Sequence, residues 1–310
     1  MTTFDFKKWN TITGWFVFAI ALITFSLTVE PTMSFWDCGE YIATSAKLEV
    51  GHPPGAPLFQ MIGAFFAMFA FSDDKVALMV NMMSVFSSAF TVLFAFWSST
   101  IVLKNIISSY KNIEKNDYIA ILGSAAVGAL AFTFSDSFWF NAVEAEVYAM
   151  ATMLIALLFW LGLRWEQDMN EPKGNRWLLL ISLVIGLSFG VHFMALLTIP
   201  SIGLLYYFKN YKTVTIKNFI IANVAVIAVL LFIFKLLLPL TMSVFAKSEI
   251  FMVNSLGLPF NSGTVLFTIF LIACFFLFFF YFFLYTILPS SFSSFLFTLA
   301  RIWCRGGQRG

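Results

Sequence analysis

The sequence predicts an all-α polytopic membrane protein, and three observations predict it. Of its 310 residues, 60% are hydrophobic and 11% are charged, against ~45–50% and ~25% in soluble domains. The mean hydropathy is +0.89. Apolar runs that could cross a bilayer, ~17–25 residues each, recur along the whole chain. A net charge of +2 gives no electrostatic case for nucleic-acid binding. Cys38, Cys274 and Cys304 have no ligand-like spacing, so neither a disulfide framework nor a zinc site is expected.

Taken in order, the first run (13–29) follows Lys7 and Lys8, as the core of a signal peptide would. No small-x-small cleavage site follows, so it is expected to be a retained span with its N-terminus in the cytoplasm. Further spans are expected at 76–103, 118–137, 147–164, 177–194, 194–208, 218–240 and 264–288, about 8 in all. The fifth and sixth adjoin and are expected to form a tight hairpin. The run 57–72 is ambiguous, and charge decides it, because Lys and Arg gather in cytoplasmic loops. If 57–72 does not span, Lys7, Lys8, Lys104, Lys111, Lys115, Arg164, Lys173, Arg176, Lys209, Lys212, Lys217, Arg301, Arg305 and Arg309 share one side. The other side holds Lys47, Lys75 and Lys247. If it does span, the clusters at 104–115, 164–176 and 209–217 all face outward. The run 57–72 is therefore expected to be an interfacial helix at the outer surface. Lys235 interrupts the seventh span, by snorkelling or beside a polar cavity. One membrane domain (1–288) is expected, with its first outer loop at 30–75, followed by a short basic tail at 289–310.

That topology puts most of the acids and both histidines on the outer face. The stretch "SFWDCGEYIATSAKLEVGHPPGAP" carries Asp37 and Glu40, which share a face if helical. The prolines after His52 end any helix. The carboxylates then stand at the mouth of a cavity, or simply in a wetted loop. In "FWFNAVEAEVYAM", Asn141, Glu144 and Tyr148 would share a helical face, while Glu144 and Glu146 would not. The aromatics there suit a membrane boundary, but carboxylates beside an apolar helix are costly unless used. His192 ends the fifth span, either bonded to a neighbouring helix or facing an anionic headgroup. "NSLGLPFNSG" is a turn-rich loop before the last span.

These stretches, with "GLSFGVHFMALL", resemble bacterial membrane proteins related to a eukaryotic protein O-mannosyltransferase that modifies receptor ectodomains. The resemblance runs from about Val29 to Gly263 and extends to the GT-C class of polytopic glycosyltransferases. It implies a GT-C-like transmembrane domain that moves a sugar, mannose in the first instance, from a polyprenyl phosphate to Ser or Thr of an exported protein. The expected setting is a bacterial inner membrane with the site facing the periplasm. It implies Asp37 as catalytic base with Glu40 second. Glu144, Glu146 and Asn141 would bind the acceptor or sugar, and His52, His192 and Lys47 would face the phosphate, since the outer face has no arginine. A divalent metal between the two acidic loops is compatible with these residues but not implied by their spacing. The alternatives are a lipid-linked-sugar transporter or flippase, for which no inverted repeat is found, and a non-catalytic subunit of a membrane complex.

Overall fold

A computed structural model describes residues 4–172, 174–211 and 213–287. The tail at 289–310, with Arg301, Cys304, Arg305 and Arg309, lies outside the described residues, as do Lys173 and Lys212. The described chain is helical: α1 (Phe6–Leu27), α2 (Cys38–Lys47), α3 (Pro57–Ala67), α4 (Val76–Tyr110), α5 (Lys115–Thr133), α6 (Asp136–Ala142), α7 (Val147–Asp168), α8 (Arg176–Ser188), α9 (Ile199–Asn210), α10 (Ile216–Leu231), α11 (Leu238–Ile250) and α12 (Ser262–Ile287). It divides into two compact units, Met1–Val226 and Ile227–Gly310.

Six helical stretches among the described residues are long and apolar enough to cross a membrane. In the first unit α4 is the central one, packing on α1, α3, α5 and α7. Asp5 starts α1 by accepting the Lys8 N–H at 3.0 Å. The helix then buries Gly14, Val17, Ala21 and Phe25, a stripe at helical spacing. On α4, Val85, Ala89, Val92 and Phe96 join that stripe in one apolar cluster.

Two expectations need correction. The interfacial helix ends at Ala67 rather than 72, because the chain then turns and restarts at Ser72 ahead of a short 3₁₀ turn, Asp73–Lys75. At 11 residues it is about 16 Å long, half of the ~30 Å hydrocarbon core, so it cannot span. The expected spans at 177–194 and 194–208 are shorter helices. The 13-residue α8 reaches about 20 Å. The chain reverses around Gly190 and returns through a 3₁₀ turn, Phe193–Thr198, and the 12-residue α9. The hairpin itself is present. Arg176, at its start, pairs with Asp168 at 3.5 Å, and Lys209, near its end, pairs with Glu166 at 2.8 Å. Both partners lie in the last turns of α7, so the two arms begin and finish at the same end.

In the second unit, π-helical turns at Phe232–Leu237 and Phe251–Ser255 flank α11. Lys235 lies in the first of them and is exposed. The turn-rich stretch 254–263 is organised by Glu249, whose carboxylate accepts from the N–H groups of Asn261 and Thr264 at 2.7 and 2.8 Å.

Candidate active site

The site is built where the first unit's short helices meet the starts of α4 and α7. Trp36 adopts a left-handed backbone (φ 59°) just before α2, a conformation that costs a bulky residue ~1–3 kcal/mol and persists only where the surrounding structure imposes it. The turn sets Asp37 at the N-cap of α2 with Glu40 in the first turn. Asp37 makes no side-chain capping bond, and its side chain is 54% exposed.

His52 returns from the turn after α2 and joins the two acids. Its backbone N–H donates to Glu40 Oε1 at 2.6 Å, and its Nδ1 lies 3.1 Å from Glu40 Oε2. Its Nε2 lies 3.7 Å from Asp37 Oδ2. The backbone bond, with help from the imidazole, holds the Glu40 carboxyl below the usual range. Gly51 permits this approach, since a Cβ there would meet Glu40 Oε1 and the Gln60 amide. Donor atoms of Asp37, Glu40 and His52 lie within 4.8 Å of one another, close enough for one divalent ion. Glu40, however, commits both oxygens to His52, and the second acidic loop supplies none of the three ligands.

Glu144 and Glu146 lie behind this cluster, in the break between α6 and α7. No helix runs through 143–146, so the expected shared face of Asn141, Glu144 and Tyr148 does not exist. Both carboxylates are buried, at 3% and 6% exposure. Glu144 accepts from the Ser34 hydroxyl and is pushed up mainly by burial. Glu146 is raised to about 7, first by burial and then by the charges of Asp37 and Glu144. Tyr41, buried between the two pairs, is pushed up to about 12 by burial and the surrounding carboxylates, so its hydroxyl remains a donor.

A row of rings extends the site. Tyr41 lies 6.1 Å from His52, and Tyr148 lies 5.6 Å from His192. His192 Nδ1 accepts the Met194 N–H at 3.2 Å, which leaves Nε2 to carry the ring hydrogen of the neutral form. The same turn is tied to α3, because Gly190 O accepts from Leu58 N–H at 2.7 Å and Phe59 N–H at 3.2 Å. A Cβ at Gly190 would collide with Leu58.

A family description, "Protein O-mannosyl-transferase TMEM260 N-terminal domain", matches residues 37–215, more than half of the chain. The chain belongs to this family. The matched segment of this TMEM260-type domain begins at Asp37 and includes Glu40, His52, Glu144, Glu146 and His192. The chain is 29% identical over 152 residues to "Protein O-mannosyl-transferase tmem260" of Dictyostelium discoideum, covering 47% of this chain and 16% of that protein. It is 29% identical over 154 residues to "Protein O-mannosyl-transferase TMEM260" of Mus musculus, covering 49% of this chain and 19% of that one. The match thus spans less than a fifth of these relatives. No solved structure matches.

Of the residues expected in the site, the structure joins Asp37, Glu40 and His52 directly and sets Glu146 behind Asp37. Two stand apart. Asn141 folds its amide onto the Ser137 carbonyl of its own helix at 2.9 Å. Lys47 is exposed at the far end of the 10-residue α2, about 15 Å along the axis from its start. The expectations omitted Asn81, on α4 and fully buried. Its Nδ2 donates to the carbonyls of Glu30 and Thr32 at 2.7 and 2.8 Å, and its Oδ1 receives the Cys38 thiol at 3.8 Å. A lone amide within "ALMVNMMSV" was the available signal, because a buried polar side chain in an apolar helix needs partners.

Proposed function

We propose that the first unit is the GT-C-like core of a protein O-glycosyltransferase. It moves a sugar, in the first instance mannose, from a polyprenyl phosphate to Ser or Thr of an exported protein. The proposed setting is a bacterial inner membrane with the acid cluster facing the periplasm. Support comes from one contrast at the cluster: Glu40 is fully engaged by His52, while Asp37, 3.7 Å from the same ring, has no capping bond and is open to solvent. A base must be free to receive a proton from the acceptor hydroxyl. As that oxygen bonds to the anomeric carbon, its proton passes to Asp37, and the bond from carbon to phosphate oxygen breaks with its electron pair leaving on the phosphate. His52 and the Nε2–H of His192 are the groups proposed to face that phosphate. Glu144 and Glu146 act from behind, holding the 34–37 segment.

The test supplies purified full chain in nanodiscs with radiolabelled polyprenyl-phosphate mannose and Ser/Thr peptides. Label should pass to peptide, and alanine at His52 or His192 should raise the donor KM more than the acceptor KM. No transfer by folded protein with mannosyl or other hexosyl donors would overturn the proposal. Orientation has its own check: cysteines placed at Lys111 and Asn170 should resist an impermeant thiol reagent applied from the periplasmic side, and labelling at either would reverse the topology.

A further inference from the structure

A second chemically marked place lies at the other end of the first unit. Arg164 is 18 positions along the chain from Glu146, about 27 Å of helix axis at 1.5 Å per residue. Here the start of α1, the ends of α4 and α7 and the start of α8 line a partly open cavity of about 590 Å³.

Its charged lining is cationic, beside the neutral Asn10, Thr11, Thr100 and Gln167. Lys7, Lys104 and Arg164 contribute to it, and no Asp or Glu does. The nearby acids are committed elsewhere: Asp5 caps α1, Glu166 pairs with Lys209 and Asp168 with Arg176. Among the described residues none of the three cations has a carboxylate partner within ion-pair distance. Arg164 and Lys104 rest instead on aromatic faces, 5.4 Å from the ring centroids of Trp177 and Phe6, and Arg164 also donates from Nη1 to the neutral amide oxygen of Gln167 at 3.0 Å. Asn10 lines the same cavity, and its Oδ1 is buried without a hydrogen-bond partner.

The remaining wall is indole. Trp97 lies 6.2 Å from Trp15 and 5.5 Å from Trp160. Trp favours the membrane–water boundary, where one end of the ring is apolar and the other wet. Uncompensated cations above an indole wall, between membrane helices, match a ligand with an anionic head and an apolar body.

We propose that this cavity binds the phosphate headgroup of an anionic phospholipid, in the leaflet opposite the acid cluster. Lys104 and Arg164 hold the phosphate, and Asn10 receives a headgroup hydroxyl. The site is separate from the transferase proposal and stands or falls without it.

Native mass spectrometry of detergent-purified full chain tests it, with phosphatidylglycerol, phosphatidylcholine and sn-glycerol 3-phosphate as probes. One phosphatidylglycerol should bind in preference to phosphatidylcholine. Each basic residue near a phosphate contributes about fivefold in affinity, so Lys104→Gln with Arg164→Gln should weaken binding about 25-fold. The charge-matched pair Lys8→Gln with Lys115→Gln, at the same end but outside the cavity, should leave it unchanged. Lys104→Gln alone keeps the Arg164–Trp177 contact, should cost about fivefold, and serves if the double variant does not fold. Equal binding of the two lipids, or equal phosphatidylglycerol binding by wild type and the cavity variants, overturns the proposal. So does glycerol phosphate binding as tightly as the lipid, which would assign the cavity to a soluble phosphate ester.

Discussion

Two pairs of carboxylates share one end of the first unit, and they are held in opposite ways. Asp37 and Glu40 are partly exposed and gathered around one imidazole, with Glu40 below its usual proton affinity. Glu144 and Glu146 are almost fully buried, and both are raised. The chemical group is the same and the solvent differs. Donated hydrogen bonds favour the charged form, and desolvation opposes it. The contrast suggests a division of work in which the outer pair presents charge to substrates and the inner pair keeps the loop in place without a second full charge against Asp37.

The largest test of that division is Asp37→Asn. It preserves size and should cut transfer ~10²–10⁴-fold with unchanged detergent stability, whereas Glu49→Gln in the same loop should do little. Full activity in Asp37→Asn would break the comparison on its catalytic side.

Glu146 tests the other side through pH. Its carboxyl is raised from an ordinary value of 4.5 to about 7. Below 4.5 it is protonated whether the chain is folded or unfolded. Between those values the unfolded chain releases the proton first, so stability falls as pH rises and levels off above 7. The loss is about 3 kcal/mol, at 1.36 kcal/mol per pK unit. Glu146→Gln should flatten the Tm profile from pH 5 to 8 and match or exceed wild type at pH 8. Glu40 should contribute the opposite slope, with stability present above its unfolded value and lost as pH falls through its lowered one.

Asn81→Leu should cost about 2 kcal/mol, one for each hydrogen bond to a backbone carbonyl, read as a fall in Tm. It should also slow transfer by loosening the segment that carries Asp37. The smallest effect belongs to Lys47→Gln. From the far end of α2 it should change the donor KM less than about twofold, as expected of a charge unpaired at the surface. A larger change would return Lys47 to the phosphate-facing set.

The fold class and the non-spanning α3 were legible because both rest on quantities a sequence carries directly: apolar run length and the distribution of Lys and Arg. Asp37, Glu40 and His52 were legible as a local cluster, since all three flank one short helix and its closing turn. The inner pair was legible as anomalous but misplaced. Periodicity carried a helix through 141–148, and the break at 143–146 follows from long-range contacts, among them Ser34 with Glu144 and the Glu30 N–H with the Val143 carbonyl. Asn81 joins residues about 50 positions away, which no local pattern records. The two short arms at 176–188 and 199–210 read as spans because their combined apolar length conceals the reversal at Gly190.

The bonds from Leu58 and Phe59 to the Gly190 carbonyl couple the start of α3 to the turn before His192. One face of α3 carries exposed Met61, Phe65 and Met68, and the other buries Phe59, Gln60 and Gly63. Its first turn is fastened two residues ahead of His192. A displacement of the start of α3 is therefore shared with that turn through two N–H donors on one carbonyl, while α2 and α4 pack along the rest of the helix.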